Sequence, residues 1–346
     1  MSLTGRLSSM VVVGTRRFPP IWLVALAGVG GSLLLIIAAT DWRHFNDEYA
    51  YWLAGMRLAV DQPLYDPSAL PNTPFAYWYP PPLAQVLDPL TSFIPADAFS
   101  VAWTGLLLVC LWWLAGRNVI VALALIAALP IAVELRVRNV HLLIAVFAVL
   151  GLRRSPLFWI PAAALKITPA LALVYLAASR QWGAFLKVGV GGLAVLLVSY
   201  ILAPGDWREF IDIVGDRAGT NGGAMVPIPF AIRFGVGFVL AVIAGRLALR
   251  ADPEHGRRNA RLAEALLIVA LTVANPTLWV TALSLLVAIV PLSRTVLDGH
   301  TKAAVAASAP LATASLTPLP TTSSPASSPP AGSAAQPAGD PQGTGG

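Results

Sequence analysis

The sequence predicts an all-α membrane protein: a polytopic bundle of about ten transmembrane helices, with one long polar loop after the first. Three observations carry this. Hydrophobic residues fill 57% of the 346 positions and charged residues only 12%, against about 25% charged in a soluble domain. The hydrophobic residues gather in long uncharged runs, and Ile21 to Ala39 alone approaches the roughly 20 residues that a spanning helix needs. The acidic residues, by contrast, concentrate: of 17, five (Asp41, Asp47, Glu48, Asp61 and Asp66) lie within residues 41–66.

Composition also excludes. The net charge of +6 comes mainly from Lys and Arg in short turns between apolar runs, where they report topology, so no nucleic-acid partner is expected. Cys110 is the only cysteine, which rules out a disulfide framework and a thiolate metal site. The four histidines form no HxxxH or HxxEH pattern, so no metal is expected, and no cofactor either. Gly151, Gly189, Gly191 and Gly192 make no phosphate-cradling loop after a strand.

The elements follow in order. Residues 1–20 are an N-terminus that Arg6, Arg16 and Arg17 mark as cytoplasmic, ahead of an uncleaved first helix from Ile21 to Ala39. That helix carries the chain outward, so the loop from Asp41 to Leu90 is extracytoplasmic. Within it, Asp47–Val60 predicts an amphipathic helix lying on the membrane surface with Asn46 as its cap. Pro63, Pro67, Pro71 and Pro74 then oppose regular structure. Further helices are expected over Phe99–Ala115, Val119–Val133, Leu142–Leu152, Phe158–Leu165, Ala170–Ala178, Ala184–Leu202, Ile228–Leu247, Leu262–Ala274 and Thr277–Val290. The central ones are short enough to be half-length helices meeting at a polar midpoint. The transmembrane domain thus covers residues 21–294. Residues 295–346, rich in Ala, Ser, Thr, Pro and Gly, form a disordered cytoplasmic tail.

This topology brings Asp47, Arg136, Arg138, Asn139, His141, Lys166 and Asn275 toward the outer face. Positive residues there run against the usual bias, and an anionic ligand would explain them. Asp47 suits a general base acting on a hydroxyl, or simply a carboxylate at the positive end of a helix. Arg136 and Arg138 have the forked donors that match phosphate oxygens, or are long side chains snorkelling to an interface. Lys166, alone among apolar residues, is either an intramembrane functional charge or an interfacial anchor. Tyr77, Trp78 and Tyr79 before Pro80-Pro81-Pro82 could stack on a sugar, pack on an isoprenoid chain or form an aromatic belt.

The residues also carry a resemblance. Asp47-x-x-x-Tyr51-Trp52-x-Ala54-Gly55, then Leu64-Tyr65-Asp66-Pro67, Phe75, Tyr79-Pro80-Pro81 and Pro89-Leu90 resemble the first-loop pattern of glycosyltransferase family 87. Asn139-x-x-Leu142-Leu143 and Ala164-Leu165-Lys166-Ile167-x-Pro169 are similar to that family's central block, and Asn275-Pro276 with Trp279 to its late Ser-Pro…Trp element. The sequence departs at Arg138, where the pattern has Gln, and at Asp61, where it has Gly. The resemblance implies a GT-C-type bundle in the plasma (inner) membrane with an extracytoplasmic active site. It implies transfer of a hexose, most often mannose, from a polyprenyl-phosphate carrier to a lipid-linked or glycan hydroxyl acceptor. Asp47 would be the catalytic carboxylate, with Asp41 as its competitor. Arg136, Arg138, His141 and Lys166 would bind phosphate, and Tyr51, Tyr77, Tyr79, Asn139 and Asn275 the substrates. Two alternatives stand beside it: a transporter or flippase of a lipid-linked saccharide, and an inactive homologue acting as a partner subunit. A transporter should show internal repeats, and none is evident in the sequence.

Overall fold

The computed structural model describes residues 20–40, 46–66, 76–218, 227–249, 256–276 and 278–293, and every regular element among them is helical. Asp41, the prolines at 67, 71 and 74, and the tail 295–346 lie outside the described residues.

The first helix, α1 (Ile21–Thr40), forms as expected. At 1.5 Å per residue it is about 30 Å long, the thickness of a bilayer's hydrocarbon core. It packs mainly on one later helix, with a smaller contact to a second, and leaves Trp22, Val29, Leu35 and Ile36 exposed, as a lipid-facing helix would. Next, α2 (Asp47–Ala59) occupies the place of the expected surface helix. Asp47 and Glu48 in its first turn suit the helix dipole, and Asn46 occupies the cap position without a side-chain capping bond. Its inner face, Glu48, Ala50, Tyr51, Ala54 and Gly55, is buried against the protein.

That inner face rests on α3 (Pro81–Thr91), a helix starting on the prolines that sequence alone assigns to a fixed loop. Proline in the first turn gives up no helical hydrogen bond and its φ is already helical, so Pro81 and Pro82 begin a helix here. The two helices approach so closely at Gly55 that a Cβ there would sit 2.5 Å from Thr91 Oγ1. Trp52 adds a bond from Nε1 to the Ile94 carbonyl, 2.8 Å. In the strap after α2, Leu64 and Tyr65 are buried and Asp66 pairs with Arg57 at 2.5 Å. Asp61 has φ 54°, a left-handed conformation that costs glycine nothing and that Asp tolerates better than most residues.

The long helix α4 (Ala96–Leu114) is followed not by one outward span but by α5 (Val119–Ile126) and α6 (Leu129–Val137), bent by 89° at the break between them. Pro130, in the first turn of α6, has no N–H to continue the ladder of α5. Then come α7 (His141–Arg153), a 3-10 turn Pro156–Phe158, α8 (Trp159–Leu165), a second 3-10 turn Thr168–Ala170 and α9 (Leu171–Ala178). The long α10 (Trp182–Leu202) leads into α11 (Pro204–Ala218), which lies between the expected helices Ala184–Leu202 and Ile228–Leu247, where the sequence suggests only a connecting loop. Phe210, Ile213 and Val214 of α11 are at helical spacing and face inward, while Arg208, Glu209, Ile211 and Asp212 are exposed. The last described elements are α12 (Phe230–Leu249), α13 (Gly256–Val273) and the apolar helix Val280–Ser293, wound as 3-10 over Val280–Ala288.

Among the described residues, α1, α4, α10 and α12 are long and apolar enough to cross a membrane, and the bent pair α5–α6 makes a fifth if taken as one span. Of the other segments of the expected ten, four are shorter apolar helices (His141–Arg153, Pro156–Leu165, Thr168–Ala178 and Val280–Ser293), and the expected Leu262–Ala274 lies in the 18-residue α13. At about 10–20 Å, α7, α8 and α9 fall short of a roughly 30 Å hydrocarbon core. Their polar ends meet: His141 opens α7, Lys166 follows α8, and Glu134 and Asn275 close in from α6 and from the end of α13.

Candidate functional site

The site is assembled where α2 starts, α6 ends and α7 begins. Asp47 is the first residue of α2, and its carboxylate accepts a hydrogen bond from Asn139 Nδ2. Asn139 is held in turn, its Oδ1 accepting from the Val140 N–H at 2.8 Å. Withdrawal from water pushes the Asp47 carboxyl up to about 6, against the Asn139 bond and the Lys166 charge, which both lower it. Helix α2 lies outside the membrane-capable helices.

Asn139 depends on its neighbour. Arg138 ends α6 in a left-handed conformation, φ 55° and ψ 43°, uncommon for a residue with a Cβ. Its guanidinium pairs with Glu48 and donates to Ser100 Oγ at 2.7 Å, and Ser100 Oγ donates to Glu48 at 2.9 Å. Its carbonyl accepts from Trp103 Nε1 at 2.9 Å. Arg138 and Glu48 are both buried, so this ion pair binds the start of α2 to the α6–α7 turn. Asp47 and Asn139, each one residue along, are thereby brought face to face.

A second cluster stands beside the first. Glu134 Oε1 accepts from the backbone N–H groups of His141 (2.7 Å) and Leu142 (3.3 Å), capping α7, while its Oε2 lies 3.0 Å from His141 Nδ1. His141 Nε2 meets Lys166 Nζ and Asn275 Nδ2, each at 2.9 Å. Lys166 also sits over the Tyr79 ring, 5.3 Å from its centroid, within cation–π range. The backbone at Asn275 and Pro276 is clamped by Arg233 of α12, which donates to both carbonyls and, from Nε, to the Ile228 carbonyl at 3.0 Å.

Part of this assembly opens onto a cavity of about 450 Å³, within the roughly 300–1,000 Å³ usual for small-molecule sites. Asp47, Tyr79, Arg136, Asn139, Lys166 and Asn275 all line it. Phe210, Ile213 and Val214 of α11 and Phe230 of α12 give it an apolar wall, and Trp78 and Trp279 are also in its lining. Arg136 is exposed at its margin. The remaining sequence-predicted residues are set back. Arg138 is turned into its ion pair with Glu48, His141 into the Glu134 cluster, and neither is in the lining.

Tyr51 and Tyr77 are buried among other aromatics. Tyr51 OH donates to Tyr79 OH at 2.8 Å, with the rings edge to face at 4.8 Å, and Tyr77 OH donates to the Pro80 carbonyl at 3.0 Å. Tyr65 OH donates to the Tyr79 carbonyl at 2.8 Å, and its ring stacks on Phe210 at 6.3 Å. The aromatic motif is therefore largely an internal brace that holds Tyr79 under Lys166 and α11 over the cavity.

Sequence reasoning missed Glu48, Glu134 and Arg233 as parts of the site. Glu48 and Glu134 each carried a signal, an acidic residue beside or within a stretch already singled out. Arg233 carried one too, as a charge near the start of the apolar run Ile228–Leu247, 13 residues before Arg246 at its end. Among the described residues no group of three or more His, Cys, Asp or Glu is placed to hold a metal. Chemically, the cavity offers a proton acceptor at Asp47 and cationic donors at Lys166 and Arg136, with apolar surface beside them.

The sequence pattern of glycosyltransferase family 87 matches residues 77–276, more than half of the chain. The matched stretch contains Tyr77, Tyr79, Arg136, Arg138, Asn139, His141, Lys166 and Asn275 and begins after Asp47. No curated protein matches, and no solved structure does.

Proposed function

The chain belongs to glycosyltransferase family 87 and is a membrane glycosyltransferase, and on that premise we propose that it transfers a hexose, mannose first among the candidates, from a polyprenyl-phosphate carrier to a hydroxyl of a lipid-linked or glycan acceptor. The reaction takes place on the extracytoplasmic face of the plasma membrane, with both termini in the cytoplasm. Asp47 takes the acceptor's hydroxyl proton as that oxygen attacks C1 of the sugar. The bond from C1 to the phosphate oxygen breaks, and polyprenyl phosphate leaves with the electron pair. Lys166, a donor fixed in advance where water is scarce, holds the phosphate as its charge grows, and Arg136 reaches it from the cavity margin. Attack opposite the leaving group inverts C1, so a β-linked donor yields an α-linked product. The apolar wall of Phe210, Ile213, Val214 and Phe230 receives the first isoprenoid units, and Trp78 and Tyr79 border the sugar.

The observation that carries this reading is the pairing, in one cavity, of a carboxylate raised to about 6 with a buried lysine and an arginine at the margin. The membership gives the transport alternative no support. The test is sugar transfer from a radiolabelled polyprenyl-phosphate hexose into membrane lipids by purified protein, comparing wild type with Asp47→Asn and Asp41→Asn. Loss only in Asp47→Asn supports the assignment, and loss only in Asp41→Asn moves the base to the competing carboxylate. Wild type inactive across several carriers and acceptors would sink the enzyme reading.

A further inference from the structure

We propose that Glu134 and His141 are positioning residues of the donor-phosphate site: Glu134 keeps the imidazole proton on Nδ1, so that Nε2 is an acceptor that fixes the Lys166 ammonium and the Asn275 amide at the cavity wall. The phosphate half of this rests on the function proposed above; the hydrogen-bond polarity does not.

The chemistry of the partners sets that polarity. A lysine ammonium has three donors and no acceptor, so the 2.9 Å contact between Lys166 Nζ and His141 Nε2 requires a lone pair on Nε2. The ring proton is then on Nδ1, where Glu134 Oε2 lies 3.0 Å away to accept it. The Asn275 Nδ2 contact at 2.9 Å is a second donor to the same nitrogen. Glu134 and His141 are fully enclosed, so water does not compete for these positions. Both ring nitrogens are occupied within the cluster. His141 consequently acts on the ligand through Lys166 and Asn275, which line the cavity while His141 does not. One of the three Lys166 N–H bonds is committed to His141, which directs the side chain and leaves two for an anion.

A helix cap alone would also explain a buried Glu134, since its Oε1 accepts from the first N–H groups of α7. Glu134→Gln separates the two roles. The amide oxygen preserves the cap, while the amide N–H₂ takes the place of Oε2 and donates to Nδ1. The ring proton is then displaced to Nε2, donor against donor with Lys166.

The experiment uses the full chain in bilayers. Nitrogen-15 NMR of labelled histidine, with His141 assigned by its loss in His141→Asn, is expected to show the proton on Nδ1 in wild type and on Nε2 in Glu134→Gln. Titration with polyprenyl phosphate, which requires no turnover, is expected to weaken by about 10- to 100-fold in Glu134→Gln, the scale of one charge-assisted hydrogen bond. The donor KM rises alike, while the acceptor KM holds. A wild-type proton on Nε2 overturns the proposal, as does a tautomer switch that leaves polyprenyl phosphate binding unchanged. A lowered melting temperature with an unchanged tautomer assigns Glu134 to capping alone and also overturns it. Wild type that binds no polyprenyl phosphate overturns the functional reading and with it the phosphate half, while the NMR result still decides the polarity.

Discussion

The raised Asp47 carboxyl has a kinetic signature. A base with a pKa of about 6 is about 90% ionised at pH 7 and about 10% at pH 5, so kcat/KM of the free enzyme falls about tenfold over that interval. The sign follows from the direction of the shift: the working form is the deprotonated one, present above about 6 and lost as the pH drops through it. A carboxyl at its ordinary 3.8 would still be over about 90% ionised at pH 5 and would leave the profile nearly flat. Asn139→Ala removes a hydrogen bond that favours the charged form, so its acid limb moves to higher pH. Asp47→Asn keeps the shape but cannot take the proton, and loses about 10²- to 10⁴-fold in rate, the range of general-base contributions. The assay is initial-rate transfer of labelled sugar between pH 5 and 8 in detergent. An acid limb below pH 5, or an Asp47→Asn protein with undiminished turnover, would refute the assignment of the base and of its environment.

Lys166→Met should leave the fold intact and raise the donor KM by about 10- to 100-fold, from the loss of one ionic contact to phosphate, with the acceptor KM unmoved. Arg138→Met strands the fully buried Glu48 carboxylate and should cost about 3–5 kcal/mol of stability in denaturant titration. Adding Glu48→Gln should recover part of that loss. Gly237→Ala places a Cβ 2.7 Å from Ala274 Cβ and 2.8 Å from the Ala270 carbonyl, wedging α12 from α13 at a cost of about 1–3 kcal/mol. A melting temperature equal to wild type would show that this interface has slack.

Several features were legible in the chain alone because a local pattern determines them. The hydrophobic run Ile21–Ala39 is long enough to satisfy its own backbone in lipid, and α1 forms there. The helical spacing and the acidic first turn of Asp47–Val60 produce α2 whatever it packs against. The scarcity of charge in this sequence makes Asp47, Arg136, Asn139, Lys166 and Asn275 conspicuous, and they do line one cavity. The helices α3 and α11 were missed for opposite reasons. Proline fixes a loop as readily as it starts a helix, and the Gly and Asp residues of 204–227 suggest a loop despite Phe210, Ile213 and Val214 at helical spacing.

Which side chains face the cavity was decided by tertiary structure. Arg136 and Arg138 are two residues apart and chemically identical, yet one lines the cavity while the other is turned into a buried pair with Glu48, 90 residues away. Tyr77 and Tyr79 differ in the same way. The reason is physical. Helix length and hydrophobicity are sums over neighbouring residues and can be read from sequence order. A buried charge must find its counter-charge wherever the fold brings one within hydrogen-bond reach, and that partner fixes which way the side chain points.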